Sequence, residues 1–235
     1  MTRKPRSGCK DIWNAFMCYG ARYSAHDIPY CPTTAEAPPE RIIPWDEAVR
    51  LYRRAMAQNE EHFHYPAFIC FYLDDCKFDG PHGIWNNSAK ALRILRHFSG
   101  AVTPDFSTYQ DFPEPLKYYN TFRMRAFGYW LGMNGVAVIN NVRWRTKESW
   151  TYCWDGLPHN SILAIGTVGG NPFRHSDRDR FETGLNELVR VLQPHTILVY
   201  GSSNYPCFER LKKQGISIIT YPSHTSLAFE RRSAE

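Results

Sequence analysis

A chain of 235 residues with 43% hydrophobic and 15% aromatic content is long enough for one large core and leaves little for a second. The formal charge of +5 allows an anionic partner without requiring one, because the basic residues are spread along the whole chain. No apolar run approaches the roughly 18 residues of a membrane span, and the opening MTRKPRSGCKDIW lacks the apolar stretch of a signal peptide, so no membrane association and a cytoplasmic location are expected. Seven cysteines, an odd number without Cys-x-x-Cys spacing, read as reduced thiols rather than a disulfide framework.

In chain order, residues 1–60 read as an irregular arm packed on the main body, broken by Pro29, Pro32, Pro38, Pro39 and Pro44 before one helix near Asp46 to Asn59. Residues 61–235 read as a single α/β domain. Short β-rich runs at 67–73, 101–106, 136–142, 161–167, 195–201 and 217–221 give six strands. Between them the apolar spacing is helical: Leu92, Leu95 and Phe98, then Tyr119, Phe122, Ala126, Tyr129 and Met133, then Phe181, Leu185, Leu188 and Leu192. Ser88 is a candidate cap for the first of these helices, and Pro115 suits the first turn of the second. Strand and helix alternating on a repeat of roughly 30 residues imply right-handed crossovers and a mostly parallel sheet. The architecture is then an abbreviated (β/α) barrel or, alternatively, an open doubly wound sheet.

Either architecture gathers ligands beyond the carboxyl ends of the strands. Those positions hold Asp74 and Asp75, with Asp79 and His82 behind them, then Asp105 and Ser107. Asn140, Asn141, Arg143 and Trp144 follow, then Thr167, Gly169 and Gly170, and then Tyr200, Gly201 and Ser202. Convergent carboxylates, amides, an arginine and glycine loops mark a candidate site, against the plainer reading of Asp105 and Ser107 as local backbone caps. The acids are suited to an oxygen-liganded Mg2+ or Mn2+, or to a metal-free acid–base or nucleophile pair. His62 and His64 with Cys70 and Cys76 match no usual zinc spacing.

The stretch GTVGGNPFR (166–174) could cradle a phosphate at a helix N-terminus, but it lacks the lysine of a P-loop. RWRTKESWTYCWDG (143–156) interleaves Arg143, Arg145 and Lys147 with Trp144, Trp150, Tyr152 and Trp154, a pattern for stacking bases and neutralising phosphates or, equally, for packing a core. Arg50, Arg53 and Arg54, and Lys90, Arg93 and Arg96, recur at helical spacing and read as solvated helix faces.

The segments HDIPYC (26–31), FYLDDCKFD (71–79), TPDFSTYQDFP (103–113), YNTFRMRAFGYW (119–130), VINNVRW (138–144), WDGLPHNSILAIGT (154–167) and ILVYGS (197–202) together resemble a bacterial and phage family known as a domain of unknown function, numbered four-four-one-seven. The resemblance implies a setting in phages and other mobile elements, and no activity. By its pattern Asp27, Asp75, Asp105, Ser107, Trp144, Asp155 and Gly201 fall at motif positions, whereas His82 and several cysteines stand outside it. A shorter likeness, restricted to AIGTVGG and ILVYGS, is to the base-exchanging tRNA-guanine transglycosylase barrels.

The expectation is a protein that acts on a nucleic acid or nucleotide in a strand-end cleft, with Asp105 as catalytic carboxylate and Asp75 and Ser107 beside it. Asp27, Asn141, Arg143, Trp144, Asp155, Thr167, Gly169, Gly170, Tyr200, Gly201 and Ser202 are the candidate ligand contacts. The alternatives are a non-catalytic protein that binds single-stranded nucleic acid or sequesters a nucleotide, and one that meets only other proteins. Oligomeric state is left open.

Overall fold

A computed structural model of the chain describes residues 4–60, 62–168 and 175–223. Seven strands form one parallel sheet in strictly sequential order: β1 (Ile42–Pro44), β2 (Tyr65–Cys70), β3 (Phe98–Val102), β4 (Val138–Asn141), β5 (Ile162–Gly166), β6 (Thr196–Tyr200) and β7 (Ser217–Tyr221). Five helices are found among the described residues: α1 (Trp45–Ala57), α2 (Ser88–Leu95), α3 (Glu114–Met133), α4 (His175–Leu192) and α5 (Pro206–Lys213). A short 3-10 turn at Lys147–Thr151 stands where a helix between β4 and β5 would be.

Because every crossover steps to the next strand without reversal, the helices collect on one face and the sheet curls into a half-barrel. An open doubly wound sheet needs a point where the strand order turns back, and this order has none, so the barrel-like alternative is the one adopted. The period-2 alternation of the strands builds the two faces. Leu163 and Ile165 on β5 and Ile197 and Val199 on β6 point outward, onto α4 and α5. Ile162, Ala164, Leu198 and Tyr200 point into the concave side with Phe68, Cys70, Val102 and Ile139. A third cluster joins α1, α2 and α3 to the outer face of β2 and β3.

The differences from the sequence reading have local causes. β1 and α1, placed above in the arm, form the first β/α unit, because Ile42, Ile43 and Pro44 pair with Phe68, Ile69 and Cys70. Phe98, read as the last apolar residue of a helix, opens β3, since α2 has only eight residues. Pro104 cannot donate to a ladder, so β3 stops at Val102 and Asp105 lies three residues into the loop. Ser88 does not cap α2: Asn87 is the residue at the cap, and Ser88 is buried in the first turn. Pro115 does sit in the first turn of α3.

The arm before β1 closes the base of the half-barrel. Thr34 bonds both ways to β4: its N–H donates to the Val138 carbonyl at 2.9 Å, and its Oγ1 accepts the Val138 N–H at 2.9 Å. Thr33 donates to the Ile162 carbonyl of β5 at 3.2 Å, and the Asn140 amide reaches back to the Cys31 carbonyl at 2.9 Å. The segment thus wedges between β4 and β5, which pair through only two register positions. Across the open side, the Tyr221 hydroxyl of β7 donates to the Pro39 carbonyl just ahead of β1. None of the seven cysteines is in a disulfide, and no helix among the described residues is long and apolar enough to cross a membrane.

Candidate functional site

At the carboxyl ends of β2, β3 and β4 a polar layer caps the concave face. Asp105 lies in the β3 loop, and its Oδ1 accepts the Asn141 amide at 2.9 Å. Its Oδ2 meets the Arg143 guanidinium at 2.5 Å. The Arg143 and Asp105 side chains keep only 12% and 8% of their surface exposed, so this is an ion pair withdrawn from water and held by further bonds. Asn141 is itself fixed: its side-chain oxygen accepts the Tyr72 hydroxyl at 2.9 Å, and its backbone N–H donates to Thr103 at 2.8 Å.

Tyr72 stacks on Tyr200, with ring centroids 5.1 Å apart and planes 19° from parallel. Gly166 permits this arrangement, because a Cβ there would come within 2.7 Å of the Tyr72 ring. Burial first, then the Asp105 charge, pushes the Tyr72 phenol well above its usual range, so it stays a donor. Tyr72 escapes the strand-end reading because the apolar run extends to residue 73, whereas β2 ends at Cys70. The parity Phe68, Cys70, Tyr72 on the inward face is the signal that finds it.

Asp75 opens a short 3-10 turn, Asp75–Lys77, and crosses to the β3 loop. Its Oδ1 accepts the Ser107 hydroxyl at 2.8 Å and its Oδ2 the Ser107 N–H at 3.1 Å. Burial raises its carboxyl pKa, the two Ser107 bonds oppose that, and the charges of Asp105 and Asp79 add to it. The structure therefore brings Asp75, Asp105 and Ser107 together. Both carboxylates have both oxygens engaged, Asp105 by Asn141 and Arg143 and Asp75 by Ser107, and the half-buried Asp75, with its raised carboxyl pKa, has the perturbed acidity of a proton-transfer group. Behind Ser107 the Asn120 amide donates to its carbonyl at 2.5 Å, and Arg123 joins Asn120 to Asp79.

Beside this layer, between the ends of β4 and β5 and the first turns of α4, lies a cleft walled by Arg143, Arg145, Arg180 and Asp177 over a floor of Ile165 and Gly166. Arg180 is partnered, by Gln110 at 2.9 Å and Asp177 at 3.6 Å. The buried Nε of Arg143 and the buried Nε and one terminal nitrogen of Arg145 have no partner among the described residues. Burial, reinforced by the neighbouring Arg143, lowers the Arg145 pKa to about 10, so it remains a cation at neutral pH.

Most of the remaining candidates have other surroundings. Trp144 is buried against Trp154 and Phe181, at 5.9 and 5.3 Å, and its indole edge fills the space that a Cβ on Gly184 would need. It packs in the core and also lines the cleft beside Arg143 and Arg145. Thr167, Gly201 and Ser202 lock the ends of β5 and β6 together. Thr167 Oγ1 donates to the Ser202 carbonyl at 3.0 Å, and Gly201 takes a φ of 116° with no room for a side chain beside Thr167. Gly169 and Gly170 lie outside the described residues. Asp27 and Asp155 form a separate group on the arm side of α3: both raise the Tyr118 phenol, after its burial, and Asp155 meets His26 at 2.8 Å. Among the described residues no group of three or more histidine, cysteine, aspartate or glutamate side chains is placed to hold a metal ion.

The family described as Domain of unknown function (DUF4417) matches residues 21–222, and the chain belongs to it. The chain is 30% identical over 193 residues to the Gene 1 protein of Mycobacterium phage L5, covering 81% of this chain and 77% of that protein. It is 28% identical over 197 residues to the Gene 1 protein of Mycobacterium phage D29, covering 83% and 67% respectively. No solved structure matches the chain.

Proposed function

We propose that this member of a family with phage relatives binds a phosphate-bearing ligand, a nucleotide or a nucleic-acid end, in the cleft between β4, β5 and α4, and that Asp75, on the adjoining rim beside Ser107, is the acid–base group for a ligand that extends from the cleft. One observation carries the reading: the buried guanidinium N–H groups of Arg143 and Arg145 on the cleft wall, which have no partner among the described residues. Buried N–H donors left unpaired cost about 1–3 kcal/mol each, and phosphate oxygens satisfy that fork geometry. The N-terminal turns of α4 add a favourable dipole for negative charge. Asp105, already shared between Asn141 and Arg143, is then a positioning residue that sets the angle of Arg143 rather than the attacking group. A binding protein without turnover uses the same cleft, with Asp75 as a hydroxyl acceptor.

A panel of ribo- and deoxynucleotides titrated calorimetrically at low salt, with bound ligand recovered after denaturation, tests the proposal. Binding should be lost in Arg145→Met. A chemically altered ligand from the unmodified protein, unaltered from Asp75→Asn, establishes turnover; unaltered ligand from both establishes sequestration. Failure of the unmodified protein to bind any nucleotide of the panel overturns the assignment.

A further inference from the structure

The two basic clusters on α1 and α2, each read from sequence as a solvated face, meet in the fold. α1 and α2 leave between them a groove of about 580 Å3 whose walls carry Arg50 and Arg53 from one helix and Lys90 and Arg93 from the other. All four are exposed, and none makes an ion pair among the described residues. The one carboxylate on the lining, Asp46, is already matched by Lys77 at 3.5 Å. The helix pair on the opposite half shows the usual arrangement: α4 and α5 are tied by Glu182 and Arg210 at 2.6 Å. Facing cations without a compensating acid repel one another, and the fold tolerates that repulsion between α1 and α2.

We infer that the groove between α1 and α2 is a track for the backbone of a single-stranded nucleic acid, separate from the rim cleft and independent of the ligand proposed for it. Cations three apart on a helix stand about 5–6 Å from each other, so each wall presents a short row of positive charge along the groove. Between the rows Val49, Tyr52 and Ile84 give a partly apolar floor for base faces, the combination that suits single strands. A duplex is too broad to enter between neighbouring helices, whose axes lie only about 8–10 Å apart when they pack. The upper end of the groove is formed by Lys77, on the same 3-10 turn as Asp75, so a strand lying in it runs toward the rim. Phosphates would displace the counterions that screen these side chains, and that release makes the binding salt-dependent.

The test uses the full chain and a labelled oligothymidylate of about 20 nucleotides, read by fluorescence anisotropy over a salt series. A duplex of the same length and a poly-glutamate peptide serve as competitors. The unmodified protein should bind the single strand in preference to both. Changing Arg50, Arg53, Lys90 and Arg93 together to Gln should weaken binding and flatten the log–log salt slope by about 2–3, at roughly 0.7 for each phosphate no longer neutralised. The urea midpoint should stay the same or rise slightly, since the four side chains are exposed and their mutual repulsion is removed. Arg145→Met should lose mononucleotides at the rim and keep the oligonucleotide. The inference is overturned if the quadruple variant binds with the affinity and slope of the unmodified protein, if poly-glutamate competes as well as the single strand, or if Arg145→Met alone abolishes oligonucleotide binding.

Discussion

Arg123-Met124-Arg125 in α3 and Arg143-Trp144-Arg145 after β4 have the same residue spacing and opposite surroundings. Arg125 is fully buried, yet its guanidinium donates to the carbonyls of Asp155, Asn141 and Cys153 at 3.0–3.1 Å. Arg123 grips Asp79 with two bonds, at 3.0 and 2.8 Å, shares Asn120, and lies over the Phe106 ring at 3.9 Å. At Arg143 and Arg145, by contrast, buried nitrogens have no partner among the described residues, beside a cleft. Buried polar groups in a scaffold are satisfied, so the first pair reads as framework and the second as a surface waiting for acceptors. On the proposed reading a buried, fully bonded cation is framework, and a buried cation with nitrogens unmatched among the described residues is a candidate site.

The sharpest way to break the comparison is Arg125→Met. Three carbonyls would be deprived of their donor at once, and unfolding stability should drop by about 3–5 kcal/mol, read from urea denaturation. Asp105→Asn comes next. It leaves the Arg143 cation buried without its anion and should cost about 2–4 kcal/mol, so a melting temperature near that of the unmodified protein would show the pair to be solvated. Arg145→Met should change stability by less than about 1 kcal/mol, because its buried Nε and one terminal nitrogen bond to no group among the described residues, while it removes the ligand response. The smallest effect concerns Asp75. Its raised carboxyl pKa means that the folded state holds the proton more tightly than the unfolded chain. Its contribution therefore falls as pH rises from the ordinary value of 3.8 through the raised one, the reverse of a salt-bridged acid. Stability measured against pH should show that decline in the unmodified protein and a flatter profile in Asp75→Asn.

Most of the sheet was legible because its strands are nearly all apolar and separated by helical periods. SIITY is β7 to the residue, and TILVY and ILAIG lie inside the runs read for β6 and β5. β1 was not legible: three residues ending in proline carry no period, and only pairing with β2 makes them a strand. α5, with two apolar turns after Pro206, was too short to register. At the site, the strand-end rule found Asp75, Asp105, Ser107, Asn141 and Arg143, which the fold brings to one rim. What it could not supply was partnership. Asp105 meets Arg143 across 38 residues of chain, Tyr72 meets Asn141 across 69, and the turn that buries Trp144 is set by its packing on α4. The two basic helix faces were read one at a time, since nothing in either segment shows that they will face each other.

The wedge at the base of the half-barrel imposes an order on assembly. Each strand pairs with the one made just before it, so the sheet can grow from β1 onward while the chain is still leaving the ribosome. Thr33 and Thr34 are made before any strand of the sheet, but the groups they bond are Ile162 and Val138, made more than a hundred residues later. The segment therefore has to stay uncommitted through most of synthesis and can lock only after β5 appears. A nascent chain arrested between β4 and β5 should carry a protease-sensitive arm, and one released past β7 a protected one.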